Sequence, residues 1–213
     1  MLGGVVFVEK ECILTNKCFM EDKFPEYISG KYEIIEVRHA AAILKLDFPN
    51  EYQDIINLLT SFTLKKEEIL TPGGRKSPIA NKMDNFLYSK GWVEKSFNTS
   101  INIDGSERTS PTHAIDCYKN KIALDIEWNN KDPFFDRDLN NYRLLFDLKA
   151  ISVGVIITRS SELQEIFSTL GKGSSYGAST THMNKLKPRI EGGGGGGCPL
   201  LVFGITKKLY EEN

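Results

Sequence analysis

Apolar residues recur along this chain in two rhythms, short runs of period near two and longer stretches of helical spacing. Tyr32-Glu33-Ile34-Ile35-Glu36-Val37 alternates weakly and predicts a strand. Pro49-Asn50 opens a helix whose apolar residues Tyr52, Ile55, Ile56, Leu58, Leu59 and Phe62 follow helical spacing. Thr71 to Pro78 is turn chemistry holding Arg75 and Lys76. A second amphipathic helix carries Ile79, Met83, Phe86 and Leu87 on one side and stops at Gly91. Phe97 to Ile103 predicts a strand, followed by a turn at Asp104-Gly105-Ser106. His113 to Tyr118 and Ile122 to Trp128 are two strands joined by the tight turn Lys119-Asn120-Lys121, a hairpin. A helix over 136–148 comes next, then a fully buried strand at Ile151 to Ile157. Ser161 to Phe167 starts another helix, Gly171 to Thr181 is a polar loop, glycines fill 192–197, and Leu200 to Ile205 is a last buried strand. Strands alternating with helices around one hairpin predict an α/β fold, a mixed central sheet flanked by helices on both faces. Residues 1–30 read as an N-terminal extension and 31–213 as a single domain. Trp92 and Phe86 read as core.

Composition agrees with a globular protein. The 213 residues are 40% hydrophobic and 26% charged, which excludes disorder over the whole chain. Net charge is −1, so a uniformly basic nucleic-acid coat is excluded, although a local cationic surface is not. No run reaches the roughly 18–20 apolar residues of a membrane helix, and Val5-Val6-Phe7-Val8 is too short for a signal segment. Cys12, Cys18, Cys117 and Cys198 show no CxxC spacing, and His39, His113 and His182 lie far apart, which argues against structural zinc. The expectation is a soluble, reduced, cytoplasmic protein.

The hairpin carries the chemistry. Asp125 and Glu127 are two apart on one strand, so both side chains leave the same face. Asp116 sits on the partner strand, where its carboxylate can meet the other two. Gathered between apolar neighbours, three carboxylates would raise one another's pKa. A divalent cation relieves that repulsion, and an all-oxygen set suits Mg²⁺. Alternating Asp-Ile-Glu is equally the pattern of a half-exposed strand, and spacing alone leaves both readings open.

The pattern Asp116-(x8)-Asp125-x-Glu127, with a helix and a buried strand after it, resembles the catalytic core of PD-(D/E)xK nucleases. Ser77-Pro78-Ile79-Ala80-Asn81, then Lys90-Gly91-Trp92-x-Glu94, then Val153-Gly154-Val155 and Leu163 are similar to the BglII/BstYI group of restriction endonucleases. So are Ser174-Ser175-Tyr176, the glycine run, and Pro199 to Ile205. Their order holds from about Lys31 to Thr206, with BamHI as a more distant relative. The resemblance implies a homodimeric type II restriction endonuclease, cutting a short palindrome in double-stranded DNA with Mg²⁺; known relatives read sites with a central GATC. It implies a catalytic core over about 113–160, a recognition loop over about 171–191, a prokaryotic cytoplasmic setting and a companion DNA methyltransferase. Asp116 takes the place of the first metal-binding aspartate and Asp125 that of the second acidic ligand. Glu127 stands where many superfamily members have lysine, BglII and BstYI glutamine, and BamHI glutamate. A BamHI-like set of three carboxylates is therefore expected, with Asp116, Asp125 and Glu127 as catalytic residues and metal ligands.

Candidate DNA contacts follow. Asn129, Asn130 and Lys131 leave the catalytic strand and either bind phosphate or a base edge, or form only a helix start before Pro133. This stretch departs from the relatives and puts a GATC site in doubt. Lys172, Ser174, Ser175, Tyr176, Ser179, Thr180 and Thr181 lie where relatives present base-reading residues, and Lys185 adds a cation. A plain surface loop is the other reading. Lys119 and Lys121 either contact phosphate or form a solvated turn, and Arg75 and Lys76 pose the same choice. The glycine run is an anion nest, a close approach to DNA, or a surface loop. The helices around 51–63 and 79–90 are candidates for the dimer contact. Two other functions stay open: a nicking or repair nuclease of the same fold, and a DNA-binding protein that no longer cuts.

Overall fold

The computed structural model describes residues 23–72 and 77–212; Cys12, Cys18, Arg75 and Lys76 lie outside them. At its centre is a six-stranded sheet in the order β1-β9-β8-β7-β6-β3. Its strands are β1 (Tyr32–Val37), β3 (Val93–Lys95), β6 (Ile115–Lys119), β7 (Ile122–Glu127), β8 (Val153–Arg159) and β9 (Leu200–Ile205). β7, β8 and β9 are parallel; β1, β6 and β3 run antiparallel to their neighbours. Every residue of β7, β8 and β9 is buried, as central strands covered on both faces must be.

Two helical layers do the covering. On one face lie α1 (Glu26–Lys31), α2 (Ala40–Asp47), α3 (Pro49–Ser61), α5 (Pro78–Ser89) and α7 (Gln164–Thr169), with the short α4 (Lys66–Leu70) and β2 (Leu64–Lys65) at the margin. On the other lie α6 (Phe134–Asp147) and α8 (Met183–Glu191), which bury Phe135, Leu139, Tyr142, Leu145, Met183 and Leu186 against Ile156 and Val202. Each such side chain contributes about 1.5–3 kcal/mol. The apolar faces of α3 and α5 are buried within the chain, and Trp92 is 1% exposed.

Several elements extend the expectations. Phe24 and Ile28, assigned to the extension, pack in the main core. α2 was not expected, since its eight residues carry little periodicity. β4 (Asn98–Ile103) acquires a partner, β5 (Ser106–Pro111), in a ribbon separate from the main sheet. The assigned recognition segment 171–191 is a loop only to His182, because α8 occupies the rest. The glycine run is no anion nest. The amides of Gly192, Gly193, Gly194 and Gly196 donate to carbonyls of their own chain, and a Cβ on Gly195 would stand 2.4 Å from Leu200 Cδ1. The run lets the chain turn tightly against α6 and β9. β2 also pairs with β10 (Tyr210–Glu211).

Candidate active site

The β6–β7 hairpin turns through Asn120 and Lys121, both at positive φ, which suits the right-handed twist of a tight hairpin. Lys119 reaches back to Asp54 at 2.8 Å and to the Lys90 carbonyl. The turn is at the far end of the hairpin from the acidic residues, so Lys119 anchors strand to helix rather than facing a phosphate there.

At the open end the ladder changes character. The backbone register runs from Lys119↔Ile122 to Cys117↔Leu124. Beyond it carboxylates replace carbonyls as acceptors. The Asp116 amide donates to Asp125 Oδ1 at 2.9 Å, and the Ile126 amide donates to Asp116 Oδ2 at 3.0 Å. This reciprocal pair holds the two aspartates across the strands. Asp125 and Glu127 share the β7 face of Ala123, toward α6, while Leu124 and Ile126 serve the opposite core. The expected meeting of Asp116 with the Asp125/Glu127 strand therefore occurs.

Burial dominates the electrostatics. Asp125 is 2% exposed and Glu127 1%. Burial, then Asp138 and Asp116, push the Asp125 carboxyl well above the usual range. Burial raises Glu127 to about 7, against the opposing pull of Asp138, Asn130 and Arg137. Asp138, on α6, is pushed up to about 9 by burial and by Glu127 beside it. Asp138 Oδ2 is buried with no hydrogen-bond partner. Arg137 Nη2 lies 3.2 Å from Glu127 Oε1 and 2.8 Å from Asp138 Oδ1, and Asn130 Nδ2 donates to Glu127 Oε2 at 2.9 Å.

Sequence reasoning missed Arg137 and Asp138. A signal existed for Asp138: it falls within the apolar stripe Phe135, Leu139, Tyr142, Leu145, where an acid has no place in an ordinary amphipathic helix.

The loop after α7 is tied to the end of β7. Thr181 Oγ1 donates to the Glu127 carbonyl at 3.2 Å and accepts from the Asn130 amide at 3.2 Å. Lys131 bridges Thr180, and the Asp132 amide donates to the Ser179 carbonyl. Arg159, at the end of β8 and 1% exposed, donates to the Tyr176 carbonyl and to Thr180 Oγ1. Two proposed DNA contacts, Tyr176 and Thr181, have buried side chains in the DNA-free protein. Tyr176 stacks on Phe167 with ring centroids 4.0 Å apart, and Thr181 is 0% exposed. Both side chains anchor the loop. Ser174, Ser175, Ser179 and Lys131 are exposed, whereas Lys172, Thr180, Asn129, Asn130 and Lys185 are half-buried. Lys185 also pairs with Asp132 at 3.5 Å.

The donor set at the open end is all oxygen, the chemistry a hard divalent cation takes. Asp125 is buried beside Asp138 and Asp116, whose charged forms would repel its own, and Asp138 Oδ2 has no hydrogen-bond partner; a bound cation would relieve both. As the side chains stand, no three His, Cys, Asp or Glu among the described residues are arranged to hold a metal ion. The Ile126 amide and Arg137 engage oxygens that a cation would need.

The family model for restriction endonuclease BglII/BglIII matches residues 32–205. No curated protein matches the chain. The chain belongs to the BglII/BglIII restriction endonuclease family, and its mixed sheet is the PD-(D/E)xK core.

Proposed function

We propose that this restriction endonuclease of the BglII/BglIII family is a type II enzyme that cuts both strands of a short palindromic site, using Asp116, Asp125 and Glu127. The observation that carries the reading is the reciprocal lock of Asp116 and Asp125 across the β6–β7 opening, with Glu127 next on the same face. A buried cluster of acids costs stability unless it has a use. Bound Mg²⁺ would supply charge for the developing phosphorane oxygens and an activated water. Asp116, Asp125 and Glu127 are the residues that would hold it. In this reading Glu127, raised to about 7, accepts a proton from water near neutral pH. The strand scission leaves 5′-phosphate and 3′-hydroxyl ends.

Site reading falls to the exposed loop residues Ser174, Ser175 and Ser179 and to Lys131, whose hydroxyls and ammonium can reach base edges or phosphate. Because Thr181 and Asn130 link this loop to Glu127, a change at the DNA surface is felt at the catalytic strand. A homodimer places two such sites on opposite strands of a palindrome, and a companion methyltransferase protects host DNA.

The test is digestion of unmethylated phage-sized DNA with purified protein in Mg²⁺, with Ca²⁺ as control, followed by sequencing of the ends. Discrete fragments sharing one palindrome are expected. Nicks or ragged ends would favour a nicking or repair nuclease. Binding in Ca²⁺ without cleavage in Mg²⁺ would favour a DNA-binding protein that has lost cutting.

A further inference from the structure

We infer that Arg137 is an electrostatic latch: in the DNA-free protein its guanidinium occupies the acidic site as counter-ion, and a divalent cation displaces it into the adjoining groove, where it takes a DNA phosphate. The inference rests on the nuclease reading above and adds a residue to it.

Three observations carry it. Arg137 Nη2 engages Glu127 at 3.2 Å and Asp138 at 2.8 Å, and both acids are 2% exposed at the side chain. A guanidinium there supplies the charge that a metal would, and with Glu127 Oε2 on Asn130 both oxygens of Glu127 are engaged. An ion seeking Glu127 therefore competes with Arg137.

The second observation is freedom to leave. The Arg137 side chain is 30% exposed. Its guanidinium carbon lies 4.2 Å from the centre of the Phe134 ring, itself 37% exposed. A cation on a surface ring has no buried partner on that side to lose.

The third is a destination. Arg137 lines an open groove with Thr112, His113, Asn140, Asn141 and Arg143. No carboxylate lines this groove, and Arg143 and Asn140 present donors to it. An anion fits those walls, and in a nuclease the anion at hand is the phosphate backbone. Removing Arg137 from the acids exchanges one cation for another, while its arrival in the groove neutralises a phosphate. Metal and DNA would thus bind cooperatively, each favouring the state in which Arg137 has moved.

The test measures Ca²⁺ binding calorimetrically on the full chain without DNA, for wild type, Arg137→Gln and Arg137→Lys. Loss of the competing charge should tighten Ca²⁺ binding of Arg137→Gln by about tenfold or more. The same variant should bind cognate DNA in Ca²⁺ more weakly, by about fivefold to tenfold. Arg137→Lys keeps the charge without the two-acid fork and should fall between. A purely structural arginine would give weaker binding of both ligands. Unchanged or weaker Ca²⁺ affinity in Arg137→Gln overturns the latch but leaves the nuclease reading standing. A wild-type protein that takes up no Ca²⁺ overturns both. Should the variants fail to fold, phenylglyoxal labelling of wild-type Arg137, followed by mass spectrometry, decides. Ca²⁺ should accelerate labelling, and an unchanged or slower rate overturns the latch.

Discussion

Replacing Glu127 with glutamine should make the metal-free protein less sensitive to rising pH. The glutamine keeps the shape of the side chain. Its Oε1 can still accept from Arg137, and its amide can meet the Asn130 side chain once that group turns over. What goes is the titration. Glu127 is raised from 4.5 to about 7, chiefly by burial, which corresponds to about 3 kcal/mol at roughly 1.4 kcal/mol per pH unit. A carboxyl with a folded-state value above its unfolded one contributes stability that is fully present below the unfolded value. That stability is lost as pH rises through the folded value. About 1 kcal/mol has gone by pH 5, so about 2 kcal/mol should be lost between about pH 5 and pH 8 in the wild type and retained in Glu127→Gln. Asp138 titrates in both proteins, and its main effect cancels in the comparison; its coupling to Glu127 makes the pair respond together. The assay is urea unfolding in EDTA at the two pH values. A stability gap that stays constant from pH 5 to pH 8 would refute the reasoning. It would mean that Arg137 and Asn130 outweigh burial and that Glu127 is ionised throughout.

Asp116→Ala, Asp125→Ala and Glu127→Ala should each lower cleavage by about a hundredfold or more, while gel-shift binding in Ca²⁺ persists. Any of them cutting at the wild-type rate removes that residue from the site. Thr181→Val leaves the half-buried Asn130 amide without its acceptor and should cost about 1 kcal/mol in thermal unfolding. Because the loop is then untied from Glu127, sequenced ends should show relaxed site choice, and an unaltered site would argue against that coupling. Gly195→Ala places a Cβ 2.4 Å from Leu200 Cδ1 and should cost about 1–3 kcal/mol, read by the same unfolding assay; a neutral effect would mean that the run is loosely packed.

The sheet was legible because burial on both faces leaves unbroken apolar runs. Val153 to Ile157 and Leu200 to Ile205 read as strands before any packing is known, and the amphipathic helices α3 and α5 read from their spacing. The acidic triad was legible too, since period two puts Asp125 and Glu127 on one face and the short turn brings Asp116 opposite. α2 and α8 were not legible. One carries few periodic positions, and the other is short, cationic and interrupted by Pro188, so each is helical because the sheet beneath it needs covering.

The roles of individual polar residues divide in the same way. Sequence by itself determined which strands are central, which residues carry carboxylates, and that the loop after α7 is polar. Only the tertiary structure decided which of those polar groups face water. Tyr176 and Thr181 look like surface chemistry in the chain and are buried anchors in the fold. Arg137 looks like an ordinary helix-surface charge and stands against Glu127. The physical reason is range. Periodicity reports a residue's position on its own element, which neighbours along the chain set. Charge state and hydrogen-bond partners depend on groups brought close by packing, such as Thr181 against Glu127 across 54 residues, and no local pattern encodes that meeting.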